Sequence, residues 1–128
     1  MKKKYIALLL LCFVLIFSLS ACRADFVGNK IKVGNKYTLS FSVLNTEEKE
    51  SMNLKKGQKL GVALELETGT VSVRIGKAGE PEIYKGTDLF ESAQFDLIVP
   101  QNGRYHICVS GKDARGKIEF KVTENEMV

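Results

Sequence analysis

The chain has no tryptophan, a single histidine and only three cysteines among its 128 residues. The absence of tryptophan weakens a carbohydrate-binding interpretation, because an indole ring offers a large stacking surface. Since His106 is the only histidine, no His-x-x-x-His metal motif is possible, and Cys-x-x-Cys spacing is absent as well. The sequence also lacks Gly-x-Gly-x-x-Gly, P-loop and Gly-x-Ser-x-Gly patterns, so phosphate cradles and a hydrolase nucleophile elbow are not indicated.

Charge is missing from an apolar segment near the start of the chain. Lysines at positions 2–4 precede residues 5–17, which are largely apolar and carry no charge. A basic region followed by an apolar region is typical of a signal peptide. The small residues Ser20 and Ala21 then stand just before Cys22, where a peptidase pocket requires narrow side chains.

The stretch Leu19-Ser20-Ala21-Cys22 resembles the lipobox of bacterial lipoproteins. The resemblance implies that the Cys22 sulfur carries diacylglycerol, that the chain is cut between Ala21 and Cys22, and that Cys22 becomes the first mature residue. The protein would then be anchored at the extracytoplasmic face of the membrane. Arg23 stands where an aspartate often retains Gram-negative lipoproteins at the inner membrane. Either kind of bacterium remains open as the source, and we favour a Gram-positive plasma membrane.

Two other interpretations of this segment remain open. Residues 5–21 count 17 residues, which is the lower limit for a helix that crosses roughly 30 Å of hydrocarbon. An ordinary secreted protein cut after Ala21 is the second alternative, but it leaves the cysteine at position 22 unexplained. The lipoprotein interpretation divides the chain into a signal peptide (1–21), a lipidated tether (22–36) and a single domain (37–128).

Removal of the signal peptide would leave the chain almost neutral. Three of the 19 Lys and Arg lie at positions 2–4, so 16 remain against 15 acidic residues. With no basic cluster, the electrostatic footprint of a nucleic-acid-binding protein is missing. Cys12 leaves with the signal peptide and Cys22 carries the lipid, so no intramolecular disulfide can form. We expect a monomer in which Cys108 is a small packed hydrophobe. The alternative is a reactive thiol or one that bridges two chains.

From Tyr37 onward, apolar and polar residues alternate, which is typical of strands buried on one face. Gly, Asn, Asp or Pro marks most of the breaks between them. Short antiparallel strands of this kind cannot bury their apolar faces in one open sheet, so the sequence predicts an all-β antiparallel sandwich of jelly-roll type. The predicted strands are residues 37–45, 49–55, 58–67, 70–76, 81–85, 92–99, 104–110 and 117–123.

Two hairpins are predicted from matching apolar rows. A turn at residues 68–69 would place Leu64 opposite Val73. A loop over residues 110–117 would likewise place Val109 against the last strand. In both hairpins one face would be core and the other solvated.

Two runs of the sequence, GTVSVRIGKAGEPEIYKG and FDLIVPQNGRYHICVSGKDARGKIEF, carry a second resemblance. They are similar to the β-sandwich of small Gram-positive lipoproteins and, more distantly, to bacterial pre-peptidase C-terminal domains. The shared features are Gly-x-Tyr at residues 103–105 and Gly-x-Ile-x-Phe at residues 116–120. The resemblance implies a sandwich at the cell surface and implies no reaction.

Residues with catalytic or metal-binding potential are few. His106 and Cys108 would point to the same face of one strand, about 7 Å apart, where a Cys/His nucleophilic pair or two metal ligands can be considered. The acidic stretch Glu47, Glu48 and Glu50 lacks the Asp/Asn/Gly spacing of a calcium loop, and we expect a solvated turn there. Neither pattern predicts a catalytic, cofactor or metal site.

Two classes of function remain. The first is a non-catalytic, membrane-anchored binding or interaction module whose partner is an envelope protein or a wall polymer, with residues 84–90 and 112–115 as contact loops. The second is a small envelope enzyme or metal-binding protein that uses the His106/Cys108 face. A binding module predicts that these two side chains line no pocket, whereas an enzyme requires both in one concave site with a third polar partner.

Overall fold

The computed structural model describes residues 25–124, so the predicted signal peptide, Cys22 and the start of the predicted tether lie outside the described residues. Seven strands account for most of this part of the chain. They are β1 (Phe26–Val33), β2 (Lys36–Leu44), β3 (Glu47–Leu54), β4 (Lys59–Lys77), β5 (Tyr84–Leu89), β6 (Ala93–Ile98) and β7 (Gly103–Thr123). Between residues 25 and 124 there is no helix with the length and apolar character needed to cross a membrane.

Two long strands, β4 and β7, form the centre of the sheet. They pair antiparallel along nearly their whole length, from Lys59 opposite Thr123 to Lys77 opposite Tyr105. The beginning of β4 also pairs with β6, and its end pairs with β5. The beginning of β7 pairs with β3, and its end pairs with β2, which in turn pairs with β1. The sheet therefore has a five-stranded half (β1-β2-β7-β4-β6) and a four-stranded half (β3-β7-β4-β5).

A corner joins the two halves. The register between β4 and β7 is irregular at Thr68, which lies opposite Arg115. Gly69 has a φ of +77° and lies so close to β7 that a Cβ there would be 2.3 Å from the carbonyl oxygen of Asp113. Only glycine combines this backbone conformation with such a close approach at no steric cost. The corner therefore depends on Gly69.

The two halves pack face to face across a single apolar core. Alternate residues of β2, β4 and β7 point inward, as their sequence alternation predicts. The all-β antiparallel sandwich expected from the sequence is thus confirmed. The inward rows contain Tyr37, Leu39, Phe41, Leu60, Val62, Leu64, Val71, Val73, Ile75, Tyr105, Ile107, Val109, Ile118, Phe120 and Val122.

The two predicted hairpins are wrong. Leu64 lies opposite Ile118 and not Val73, while Val73 lies opposite Val109. Alternation reports which face a residue occupies, but it does not report which strand that residue meets. A bend with small residues at residues 68–70 has the same sequence pattern as a hairpin turn, which explains the wrong prediction. Each of the two predicted hairpins is in fact one continuous strand, β4 or β7.

The predicted tether, residues 22–36, includes a strand that the sequence analysis missed. Phe26–Val33 forms β1, which pairs with β2 from Phe26 opposite Leu44 to Val33 opposite Lys36. Seven of its eight residues are exposed, so β1 has no buried apolar row. Because the strand is held by backbone pairing and not by burial, hydrophobic alternation could not reveal it.

Two buried tyrosines differ in how their hydroxyls are satisfied. The Tyr105 hydroxyl donates a hydrogen bond of 2.7 Å to the carbonyl oxygen of Gln101. The Tyr37 ring stacks on Phe120 at 5.7 Å between centroids, but its buried hydroxyl has no hydrogen-bond partner within residues 25–124. Burial, and then the carboxylates of Glu50 and Glu48, raise the pKa of Tyr37 above its usual range. Tyr37 is therefore a neutral, unsatisfied phenol inside the core.

Candidate functional site

His106 and Cys108 lie on the outer face of the four-stranded half. Cys108 stands between Lys49 of β3 and Arg74 of β4, in the row next to that of His106. The predicted loop over residues 110–117 would have paired the strand of Cys108 with the last strand, and this expectation is wrong because β7 does not turn back on itself.

The structure brings both residues to one open depression. Arg74, Lys77 and Glu82 contribute to the same depression. The expectation that a binding module would leave His106 and Cys108 away from any pocket is therefore wrong. The question becomes whether the chemistry of this depression suits a reaction.

The state of the Cys108 thiol argues against nucleophilic catalysis. Burial raises the pKa of the Cys108 thiol, and the Glu47 carboxylate raises it further, against smaller opposite effects of Arg74 and Lys49. The thiolate is the nucleophile, so catalytic cysteines sit where their pKa is lowered. Over residues 25–124, no three His, Cys, Asp or Glu side chains are grouped so that they could hold a metal ion. The surroundings of Cys108 thus disfavour its thiolate.

The acidic stretch belongs to a strand and not to a solvated turn as expected. Glu47 in β3 forms ion pairs with Lys49 at 3.6 Å and with Arg74 at 3.5 Å. Arg74 also contacts Glu82, at 3.7 Å. These exposed pairs neutralise the surface beside Cys108.

Glu50 takes part in a contact between the two halves. Lys30 and Lys32 extend from β1 and donate hydrogen bonds of 2.6 Å to the carbonyl oxygens of Lys49 and Ser51 in β3. Their ammonium groups also lie 3.4 and 3.6 Å from the Glu50 carboxylate. The backbone N–H of Ser51 holds the pKa of Glu50 below its usual range, burial opposes this, and Lys30 and Lys32 lower the pKa further. Side chains thus join β1 and β3 where no strand pairing does.

The two predicted contact loops are largely ordered strand. Tyr84 begins β5 and is half-buried, with its ring 4.7 Å from that of Phe95. Phe90 is 73% exposed and is the aromatic residue of this segment that is free to meet a ligand.

The second predicted loop, residues 112–115, lies at the corner. Arg115 pairs with Glu67 at 2.9 Å, and Lys112 pairs with Asp88 at 3.4 Å. The backbone N–H of Asp113 donates a 2.6 Å hydrogen bond to the side chain of Asn45. Such cross-links hold the corner in place, so it is not the free loop that the sequence suggested.

A polar trough on the outer face of the five-stranded half was missed by the sequence analysis. Its floor is Gly61 and Ala63, two successive outward residues of β4. Asp96 leans over this floor, since a Cβ on Gly61 would lie 3.2 Å from its carboxylate. The walls carry both donors and acceptors, from Lys59, Gln94, Asp96, Glu119, Lys121 and Thr123.

Exposed apolar side chains lie at both edges of the five-stranded half. On the β1 edge, Val27, Ile31 and Val33 are 45%, 54% and 69% exposed. On the opposite edge, Ile98 of β6 is 56% exposed. The register places Ile31 opposite Thr38 and Val33 opposite Lys36, so the apolar row of β1 points away from the core.

No protein-family model matches the chain, and no curated protein matches its sequence. Several solved structures are similar to it, among them the following three. The periplasmic inhibitor of g-type lysozyme, PliG, from Aeromonas hydrophila has a TM-score of 0.47 at 14% identity, over 75% of this chain and 88% of its own. A CBM4 structure has a TM-score of 0.40 at 14% identity, over 77% and 76%. TmCBM61 in complex with β-1,4-galactotriose has a TM-score of 0.40 at 16% identity, over 80% and 73%. Similarities this distant say nothing of what the chain binds.

Proposed function

We propose that this protein is a lipid-anchored, extracytoplasmic and non-catalytic binding module whose polar trough takes a segment of a wall polymer. The observation that carries the proposal is the trough itself. It is an open depression with a floor of small residues and walls of both charges, on a sandwich that buries no charged group between residues 25 and 124. Such a surface suits recognition, because it offers fixed hydrogen-bonding groups without a reactive one.

The geometry of the trough favours an extended, polar ligand of mixed charge. Its floor runs along β4 at Gly61 and Ala63, between β6 and β7, where a ligand chain can approach the sheet closely. Lys59 and Asp96 are 3.6 Å apart on one side, with half-exposed charges that a ligand can share. A wall polymer with hydroxyl, amide, amine and carboxylate groups offers partners to both signs. An envelope protein is the second candidate partner, and its binding can be tested with the same variants.

Anchoring through Cys22 accounts for the sequence before the domain. The apolar segment and the lipobox-like residues 19–22 supply the signal and the attachment point. A diacylglycerol places two acyl chains in the membrane, and each buried methylene contributes about 0.8 kcal/mol. The trough would then stay at the outer surface, within reach of the wall.

The trough is tested by filling it. Ala63→Arg places a long side chain on the floor, and Thr38→Arg adds the same charge to the same face two strands away. We expect the vesicle-bound full-length protein to lose at least about tenfold in affinity for isolated wall polymer with Ala63→Arg only, because several polar contacts are lost together. Equal binding by both variants would remove the trough from the proposal.

Crosslinking on intact cells, followed by identification of the captured material, separates the two partner classes. Wall fragments captured by the wild type and lost with Ala63→Arg support the polymer. A single envelope protein captured in the same trough-dependent way would replace it.

The enzyme alternative is tested on the His106/Cys108 face. The double variant His106→Ala with Cys108→Ser should bind the wall polymer as the wild type does, because neither side chain touches the trough. If a folded, lipidated double variant loses the cellular role while still binding the polymer, the enzyme or metal alternative becomes the better explanation.

The anchor has its own test. Labelled fatty acid should enter the wild type and not Cys22→Ala, which offers no sulfur for alkylation. Equal labelling of both proteins would contradict the lipid at Cys22.

A further inference from the structure

We infer that the outer face of β1 rests on the membrane surface, so that the sandwich is held by one edge and does not hang freely from its lipid. The ligand of this face is an anionic bilayer surface. The inference rests on the anchor at Cys22 proposed above and adds an orientation to it.

The short segment between Cys22 and β1 limits how far β1 can lie from the membrane. Phe26, the first residue of β1, is four positions after Cys22. Four fully extended residues span at most about 14 Å. The polar headgroup layer on one side of a bilayer is roughly 5 to 8 Å thick. The start of β1 is therefore confined to the headgroup layer or just above it.

The outer face of β1 carries a row of exposed apolar side chains. Val27, Ile31 and Val33 are large apolar residues on one face of an edge strand, and each is about half-exposed or more. Among residues 25–124, β1 pairs only with β2, so its other side is an edge of the sheet. An exposed apolar strip at an edge strand is a liability in water. At the boundary of headgroups and acyl chains the same strip is stabilised by burial.

The β1 edge and the β6 edge differ in charge. Residues 26–46, which contain β1 and β2, carry Lys30, Lys32 and Lys36 and no Asp or Glu. The opposite edge differs, since β6 contains Asp96 and no basic residue. Lys30 and Lys32 share the Glu50 carboxylate, and Lys36 pairs with Glu119, so three lysines meet two carboxylates at this edge. The β1 edge therefore keeps an excess of one positive charge, which an anionic membrane attracts, whereas the only charged residue of β6 is Asp96.

A second copy of the chain could in principle cover the same row by pairing edge to edge. The β1 edge opposes this, because its lysines would face those of the partner and a register shift between Val27 and Gly28 interrupts a regular ladder. Self-pairing is nevertheless an outcome that the experiment below detects.

The test compares two isoleucines with matched surroundings. Ile31 and Ile98 are 54% and 56% exposed and lie on the outer faces of edge strands at opposite edges of the same half. Each is replaced by cysteine in a full-length Cys108→Ser protein, in which Cys22 is blocked by its lipid. A fluorophore on the new cysteine is then read in phosphatidylglycerol vesicles that contain a lipid-borne nitroxide quencher.

We expect the label at position 31 to be quenched at least several-fold more strongly than the label at position 98. Val33→Cys provides a second position on the same row and should behave like Ile31→Cys. Equal quenching at positions 31 and 98 in protein that floats with the vesicles would overturn the orientation and leave the anchor intact. Protein that does not float with the vesicles would contradict the anchor and the orientation together. Self-quenching at position 31 that rises with protein density, without quenching by lipid, would assign the row to a second copy and overturn the inference.

Discussion

The strand β1 and the pair β4–β7 both form antiparallel backbone ladders, yet different interactions stabilise them. The pair β4–β7 buries a continuous apolar row on its inner face, with Val73 and Ile107 each at most 1% exposed. In β1 only Phe26 is even half-buried, and Lys30 and Lys32 secure the strand to β3 through their side chains. The comparison shows that burial specifies the centre of the sandwich, whereas backbone pairing and a few polar contacts position its β1 edge.

The largest effect is expected where burial is lost. Ile107→Asp places a charge in the core, where it has no partner, and should destabilise the protein by about 4 kcal/mol or more. Ile31→Asp makes the same chemical change on β1 and should alter stability by at most about 0.5 kcal/mol. Urea denaturation of the two detergent-solubilised variants measures both values. Similar losses would break the distinction between the two regions.

The next effect compares the turns of the two regions. Gly69 at the β4–β7 corner and Gly34 in the β1–β2 turn both have positive φ, at +77° and +57°. Alanine at Gly34 meets no atom within 4 Å and should cost only about 1 kcal/mol for the left-handed backbone. Alanine at Gly69 also clashes with the backbone of Asp113, and we expect a loss of about 3 kcal/mol. Equal losses in thermal unfolding would show that the corner is less tightly packed than its geometry indicates.

The two buried tyrosines give a smaller effect of opposite sign. Tyr37→Phe removes a buried hydroxyl without a partner and should stabilise the protein by about 1 kcal/mol. Tyr105→Phe removes a hydroxyl that donates to Gln101 and should destabilise the protein by a similar amount, about 1 kcal/mol. Changes of the same sign in urea midpoints would indicate that the Tyr37 hydroxyl has a partner in solution, such as a bound water.

The smallest effect concerns the contact between β1 and β3. Because the folded protein lowers the pKa of Glu50, this carboxylate stabilises the fold above its unfolded pKa of about 4.3. The stabilisation is lost as the pH falls through the lower, folded pKa. Since the lysines are partly exposed, we expect about 0.5 kcal/mol. As the pH is lowered from 7 to 3, the urea midpoint should fall less steeply for Glu50→Gln than for the wild type. Parallel curves would show that Glu50 does not stabilise this contact.

The inner rows could be predicted from the sequence, and the strand partners could not. Alternation identified Leu64, Val73 and Val109 as core because the period of a strand fixes the face of each residue. Which residue lies opposite Leu64 depends on whether the chain forms a hairpin turn or a bend near Gly69. Both conformations use the same small residues. The exposed strand β1 left no apolar signal at all.

The candidate site was hidden for a related reason. The trough exists because Gly61 and Ala63 lack long side chains, and its walls come from β6 and β7. In the sequence, Gly61 and Ala63 were ordinary small residues on a solvated face. Only the pairing of β4 with both neighbours shows that Asp96 and Glu119 stand on either side of them.

The position of β7 has a consequence for the order in which the protein can fold. It is the last described strand along the chain, yet it joins β2 to β4 in one half and β3 to β4 in the other. The end of the chain, up to residue 123, must therefore reach the earlier strands before the sheet can close. Until then β3 has no strand partner and β2 is paired on one side only. Non-local pairing of this kind is slow, so the folding chain keeps open strand edges until β7, its last described strand, has paired.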